Sequence, residues 1–180
     1  MSKIVLSDII GSINEAIEHR ASELGIAAKC YGLCDPIVSK PLGEEGQTYP
    51  AEIDLTGEGD YPFIDDDNFF GCYHRLLGKT YSTVKGYGDS NQDVEVAEVV
   101  VIAWGRPVYF SKRAEDIERT IIIPAIPKAA KLVQSNFDAV SVFSSEFKGV
   151  PFYIPSSMFL FSVRYKIQYI FDRECITTSN

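Results

Sequence analysis

The first clear pattern in the chain is a spacing of three and four residues between apolar positions near its start. This apolar stripe consists of Ile9, Ile13, Ile17 and Leu24. Charged residues occupy most of the opposite side, which is typical of an amphipathic helix. Ser7 or Asp8 can cap the first turn, and Gly25 stands where a left-handed C-cap is favoured. The sequence therefore predicts a helix over residues 7–24.

The last strong pattern has a period of two. From 159 to 171 every odd position is apolar or aromatic, beginning with Phe159 and ending with Phe171. Polar residues stand between them at Ser162, Arg164 and Lys166. A period of two places alternate side chains on opposite faces of a strand. We therefore predict a half-buried antiparallel strand with one face in water.

Between these elements the apolar runs predict several further strands. Residues 26–38 form a first candidate, and a short one lies around 49–55 within a loop-rich stretch at 39–68. Residues 69–85 and 94–104 are longer, and a strong turn signal (Gly86-Tyr-Gly-Asp-Ser-Asn) separates them. Two strands joined by such a turn are expected to pair as an antiparallel hairpin.

A second helix is predicted to begin at Ser111 and to end at Pro124. A short third helix is predicted from Pro127 through Val133, and strand-like residues follow at 139–154. This order predicts an α+β fold, with an antiparallel β-sheet, an N-terminal helix and one or two further helices packed on one face. Residues 1–175 are predicted to form a single α+β domain, followed by a flexible tail at 176–180.

Length and charge narrow the possible functions. The chain has 180 residues and a net charge of -8, and its Lys and Arg residues are scattered. Nucleic-acid binders usually carry a basic patch, so neither sequence-specific nucleic acid binding nor binding to anionic membranes is expected. No stretch approaches the roughly 18 apolar residues of a membrane span, and the N-terminus lacks a signal-peptide pattern. We expect a cytosolic chain whose cysteines are free thiols.

Cysteine and histidine residues could form two kinds of site, a zinc site and a nucleophilic pair. The residues able to bind zinc are Cys30, Cys34, Cys72, His74 and Cys175. They form no second closely spaced pair, and a buried free cysteine behaves as a small hydrophobic residue. Cys72 and His74 share a strand face, which allows a nucleophilic pair. A strand offers no helix N-terminus to lower the thiol pKa, so we predict no catalytic residues, no metal and no cofactor.

The polar loops are the other candidates. The acidic run after residue 64 lacks the alternate spacing of a calcium loop, and the short glycine loops lack the residues of a phosphate-binding loop. Loops joined to firm strands often bind partners, so residues 56–68 and 86–93 are predicted to contact other proteins. The individual candidates are Asp60, Asp65, Asp66, Asp67, Tyr87 and Asp89.

The order of elements and four segments resemble the tail-terminator or tail-completion (neck) proteins of tailed bacteriophages. The segments are Phe70–Ser82, Gly86–Asp89, Val94–Val101 and Phe161–Asp172. The resemblance implies a structural virion protein, without catalytic residues, that forms a homo-oligomeric ring at the head–tail junction. It also implies a hexamer or dodecamer, contacts with other neck or tail proteins, and a location in the bacterial cytoplasm before assembly into the virion.

Two alternatives from other functional classes stay open. One is a non-catalytic adaptor or protein-binding module with the same α+β fold. The other is a small enzyme with a site near Cys72 and His74. Ring formation would distinguish the neck protein from the adaptor. A loss of activity on replacing His74 would instead favour the enzyme.

Overall fold

A computed structural model describes residues 6–39, 47–52, 70–85, 91–106, 113–138, 141–142 and 159–170. The first elements are α1 (Leu6–Glu23), β1 (Ala28–Ser39), β2 (Gln47–Glu52), β3 (Phe70–Lys85) and β4 (Asn91–Gly105). Next come α2 (Ala114–Ile117), a π-helical turn (Glu118–Ile122) and α3 (Ile123–Ala125), which follow one another without a break. The last strands are β5 (Lys131–Asn136) and β6 (Phe159–Ile170).

The strands form a six-stranded sheet in the order β2-β1-β3-β4-β6-β5. The α+β class is confirmed, and the predicted hairpin of β3 and β4 pairs antiparallel along its whole length. The sheet is mixed rather than wholly antiparallel, because β1 and β3 run parallel. Since β2 carries the chain back along β1, β3 starts beside the beginning of β1 and runs in the same direction.

Helix α1 contributes one face of the main core. Ile13 and Ile17 of the predicted apolar stripe are buried together with Ile10 beside it, whereas Ile9 is half-buried and Leu24 is 43% exposed. Gly25 has a positive φ of 71°, which suits a glycine C-cap. The N–H of Ile26 donates to the carbonyl of Ala21 at 2.9 Å and closes the helix end.

The two faces of the sheet bury separate clusters, because strand side chains alternate between faces. The face that packs on α1 and the π-helical turn carries Phe70, Val101, Phe161 and Tyr165. The opposite face buries a second cluster, which we call the aromatic cluster: Tyr31, Cys34, Tyr73, Val100, Ile102, Trp104, Val142 and Leu160. The alternation predicted for β6 is confirmed over its middle, where Arg164 and Lys166 are exposed and the odd positions are buried.

The helical stretch after β4 ends one residue later than predicted. Pro124 was expected to stop the helix but lies inside α3. The π-helical turn before it shifts the hydrogen-bond pattern, so the proline falls in the first turn of α3, where a missing N–H costs little. The predicted start at Ser111 lies outside the described residues.

The predicted third helix from Pro127 through Val133 is wrong. Residues Lys131–Asn136 form β5, which pairs antiparallel with β6. The hydroxyl of Ser135 also donates to the carboxylate of Glu118, a buried residue of the π-helical turn. Pairing with a long neighbouring strand outweighs a weak local preference for helix. Of the strand-like stretch 139–154, only residues 141–142 are described, and they lie in a helical turn.

Replacing Gly71 with alanine is expected to destabilise the fold, because the Trp104 ring lies across this glycine. A Cβ on Gly71 would lie 2.5 Å from Cζ2 of that ring, which is itself 2% exposed. Overpacking a core costs about 1–3 kcal/mol. Urea unfolding followed by fluorescence of this single tryptophan measures the loss.

Gly78→Ala on the same strand is the matched control. A Cβ there meets no atom within 4 Å, so the free energy of unfolding should change by less than about 0.5 kcal/mol. Equal losses in the two variants would contradict the assigned packing of Trp104.

Candidate protein-interaction site

At one end of the sheet, β3 and alternate positions of β6 expose their side chains, while β4 between them is buried or half-buried. We call this region the arm and define it as residues 77–85 of β3, 91–98 of β4 and 166–170 of β6. Within β3, Phe70–His74 are buried and every residue from Leu77 to Lys85 is exposed. Strand β3 therefore builds the core at one end and the arm at the other, while Ala97 of β4 and Ile167 of β6 continue the core beneath the arm.

The arm has open strand edges. Strand β1 pairs with β3 between Phe70 and His74, and the outer edge of β3 beyond His74 pairs with no strand that the structure describes. On the other side, β5 covers β6 between Ser162 and Lys166. Edge strands present backbone N–H and C=O groups to which another chain can pair.

Large apolar side chains are exposed along the arm. Tyr81 is 58% exposed and Ile170 57%, with Leu77 at 38% and Val84 at 37%. Leu77 occupies a bulge, because the register with β4 shifts between Leu76 and Gly78. Exposed apolar residues grouped on one regular element are a feature of protein–protein contact sites.

A polar row holds the three arm strands in register. We define this polar row as Lys79, Tyr81, Glu95 and Tyr169. Tyr81, Glu95 and Tyr169 are direct partners across the three strands. The Tyr169 hydroxyl donates to the Glu95 carboxylate, and Nζ of Lys79 lies 2.7 Å from Oε1 of Glu95.

Glu95 is buried within this row and remains a carboxylate. Only 5% of its surface is exposed. Burial alone raises the pKa of a carboxyl group, but the hydrogen bonds from Lys79 and Tyr169 outweigh it, so the pKa of Glu95 lies below its ordinary value. The negative charge of Glu95 is therefore balanced within the arm by Lys79. These contacts link the three strands that carry the exposed apolar residues.

The opposite face of the arm is charged and open to solvent. Glu98 lies between two cations, with Nε of Arg164 at 3.8 Å and Nζ of Lys166 at 3.1 Å from its carboxylate oxygens. These three side chains line an open depression. They are exposed enough that the ion pairs contribute little to stability.

The predicted contact loops relate to the arm only in part. Asp60, Asp65, Asp66, Asp67, Tyr87 and Asp89 all lie outside the described residues. The loop 86–90 links Lys85 to Asn91, which pair where β3 and β4 meet. Nearby, the Thr83 hydroxyl donates to Asp93 Oδ1 at 2.9 Å. The contact predicted for loop 86–93 therefore stays a prediction, and the strands beside it are a further candidate that the sequence pattern does not single out.

His74 is a structural residue in the core. It is fully buried, with Nε2 at 2.8 Å from Oδ1 of Asn14 and Nδ1 at 3.4 Å from the Tyr165 hydroxyl. The Asn14 amide nitrogen donates to the carbonyl of Tyr31, which directs its oxygen toward the histidine. Burial lowers the pKa of His74 to about 3, so the ring is neutral near pH 7 and links α1 to the sheet.

Cys72 lacks the properties of an activated nucleophile. Its Sγ lies 3.4 Å from Sγ of Cys30, and the hydrogen bond to Cys30 together with burial raises the thiol pKa well above its ordinary value. Cys34 belongs to the aromatic cluster on the other face, and Cys175 is outside the described residues. Cys30 and Cys72 thus lie together, Cys34 lies on the other face of the sheet, and the described residues contain no cluster of three or more metal-binding side chains.

The described part of the chain contains no helix long and apolar enough to cross a membrane. The chain matches no protein-family model. No curated protein is significantly similar to it.

Replacing Glu95 with glutamine is expected to lower the free energy of unfolding by about 1–3 kcal/mol at pH 7, because it removes a buried charge partner. The depressed pKa makes this contribution depend on pH. It is fully present above the pKa of an unfolded glutamate, about 4.3, and is lost as pH falls below that value. Urea unfolding from pH 7 to pH 3 should therefore show the wild type approaching the variant in acid.

Glu98→Gln is the matched control, since Glu98 lies on the same strand and is ion-paired as well, here with two cations on the open face. Its loss should not exceed about 1 kcal/mol. A gap between wild type and Glu95→Gln that stays constant down to pH 3 would exclude the charged role of Glu95.

Proposed function

We propose that this chain is a non-catalytic structural subunit that assembles with copies of itself through the arm, as a ring at the head–tail junction of a tailed bacteriophage. The observation that carries the proposal is the exposed edge of β3 with Tyr81 and Val84 beside it. A monomer with no partner for such an edge is prone to unspecific pairing. Pairing with a specific neighbouring subunit would cover the open edge of β3.

A second exposed surface supports head-to-tail assembly. Strand β5 pairs with β6, and no second strand among those described pairs with its other side. Leu132 and Val133 are each 44% exposed there, and Phe137 is 39% exposed. A contact between two different surfaces of identical subunits closes into a ring when the rotation between them allows. The arm of one subunit and the β5 edge of the next are suited to such a contact.

The resemblance to neck proteins falls on the strands that build the arm. Phe70–Ser82 covers most of β3, Val94–Val101 lies in β4, and Phe161–Asp172 includes most of β6. The proposed partners are therefore other copies of the chain first, and other neck or tail proteins at the faces of the ring. The site of action is the host cytoplasm during assembly and then the virion.

The test is the mass of the purified chain by light scattering across a concentration series, with negative-stain images of the same samples. We expect closed rings of about six or twelve subunits. In the double variant Leu77→Lys/Val84→Lys, which leaves the polar row intact, the rings should dissociate while the circular dichroism spectrum is unchanged. Losing one central interface side chain typically costs about 2 kcal/mol, which is roughly a thirtyfold weaker association.

Leu24→Lys is the control, because Leu24 is 43% exposed but follows α1, outside the arm. It should leave the rings intact. A wild-type chain that stays monomeric at every concentration would overturn self-assembly and favour the adaptor reading. Rings that persist in the double variant would mean that the arm is not the contact.

A further inference from the structure

Cys30 and Cys72 face each other across the one parallel pairing among the described strands. They are direct register partners of β1 and β3. Neighbouring strands lie about 4.7–4.9 Å apart, which falls within the Cα separation of about 4.4–6.8 Å that a disulfide requires. Their sulfur atoms are 3.4 Å apart, so a bond between them needs a small movement of two side chains rather than of the backbone.

The two thiols differ in their access to solvent. Cys72 is fully buried in the main core, whereas Cys30 is partly exposed at its edge. An oxidant in water therefore reaches Cys30 first. The buried partner is then within contact distance of the oxidised sulfur, which is the arrangement of an oxidisable cysteine beside a resolving cysteine.

Cys34 is a poor competitor for this pairing although it lies on the same strand as Cys30. It is buried in the aromatic cluster on the opposite face of the sheet. Its Sγ is 3.7 Å from the carbonyl of Gly32. The sheet therefore separates Cys34 from the sulfur pair and makes one pairing geometrically preferred.

We propose that Cys30 and Cys72 form a redox modification site at which a peroxide closes a disulfide between β1 and β3. The Cys30 thiol attacks the peroxide oxygen, giving a sulfenic acid and one molecule of water (an alcohol for an organic peroxide). Cys72 is not activated toward a substrate from solvent, but the oxidised Cys30 sulfur is already within contact distance, and the Cys72 sulfur attacks it. Its proton leaves with the sulfenic oxygen as water, so one peroxide oxidises two thiols to one disulfide.

The bond would fix the position of β1 on the sheet. The regular pairing of β1 with β3 is interrupted just after Cys30, so the bond forms at the last regular pair. It links residues that are 42 apart in sequence, and closing a loop of that length restricts the unfolded chain. We expect the Tm to rise by roughly 5–10 °C. This inference does not depend on ring assembly.

The experiment compares the purified chain after hydrogen peroxide and after a reducing agent. Intact mass should fall by two hydrogens on oxidation and recover on reduction. Trypsin leaves Cys30, Cys34 and Cys72 in one fragment, because Lys40 precedes Pro41 and the next site is Arg75. Cleavage after glutamate, at Glu44 to Glu58, separates the first two cysteines from Cys72 and shows whether Cys72 is linked to one of them, and the variants below identify which.

The expected result is a Cys30–Cys72 bond in the wild type and in the Cys34→Ser variant, and none in Cys30→Ser. Cys30 is only partly buried, so this serine variant should fold, and its thermal melting in the reduced state checks that it does. A bond that involves Cys34 or Cys175, or a loss of two hydrogens that persists in Cys30→Ser, would overturn the proposal. So would a Cys30 oxidised to a sulfinic acid while Cys72 remains a thiol.

Discussion

The long pairing of β3 with β4, interrupted by the bulge at Leu77, is the constraint on which the rest of the structure depends. The two strands are partners from Phe70 and Gly105 at one end to Lys85 and Asn91 at the other. Strand β1 and the helices cover one end of this ribbon, and the other end is left as the arm. A strand longer than the core that buries it must expose part of its length. The same strand, β3, therefore contributes to the core and to the candidate contact surface.

Much of the fold can be predicted from the local hydrophobic pattern. The predictions fail where an element forms by pairing with a strand that is distant in sequence. Helix α1, the β3–β4 hairpin and β6 each carry a periodicity strong enough to define them alone. The parallel pairing of β1 with β3 joins residues far apart in sequence, and no local signal encodes it. Strand β5 is similar, because Lys131–Asn136 becomes a strand by lying beside β6. Pro124 was misread because the π-helical turn before it has no periodicity of its own.

The candidate site was predictable in its chemistry but not in its place. The sequence indicates aromatic strands and polar loops, and both are common at subunit contacts. The sequence does not show which strand side chains are exposed to solvent, because Tyr81 and Tyr165 lie in equally strand-like patterns. One is 58% exposed and the other fully buried. The predicted hairpin of β3 and β4 does form, and its register brings Tyr81 opposite Glu95.

Two buried polar groups fix the register at the two ends of the sheet. At the core end, His74 accepts and donates hydrogen bonds between Asn14 and Tyr165. In the arm, Glu95 fills the same role between Lys79 and Tyr169. A slip of one residue turns each strand side chain to the other face, and it would leave Glu95 buried without its cation. Apolar side chains also resist such a slip, because it would move them from the core to solvent, and the buried carboxylate adds the cost of an unpaired charge. The buried carboxylate therefore keeps the arm in a single register, and an edge held in a single register is what a specific neighbouring strand requires.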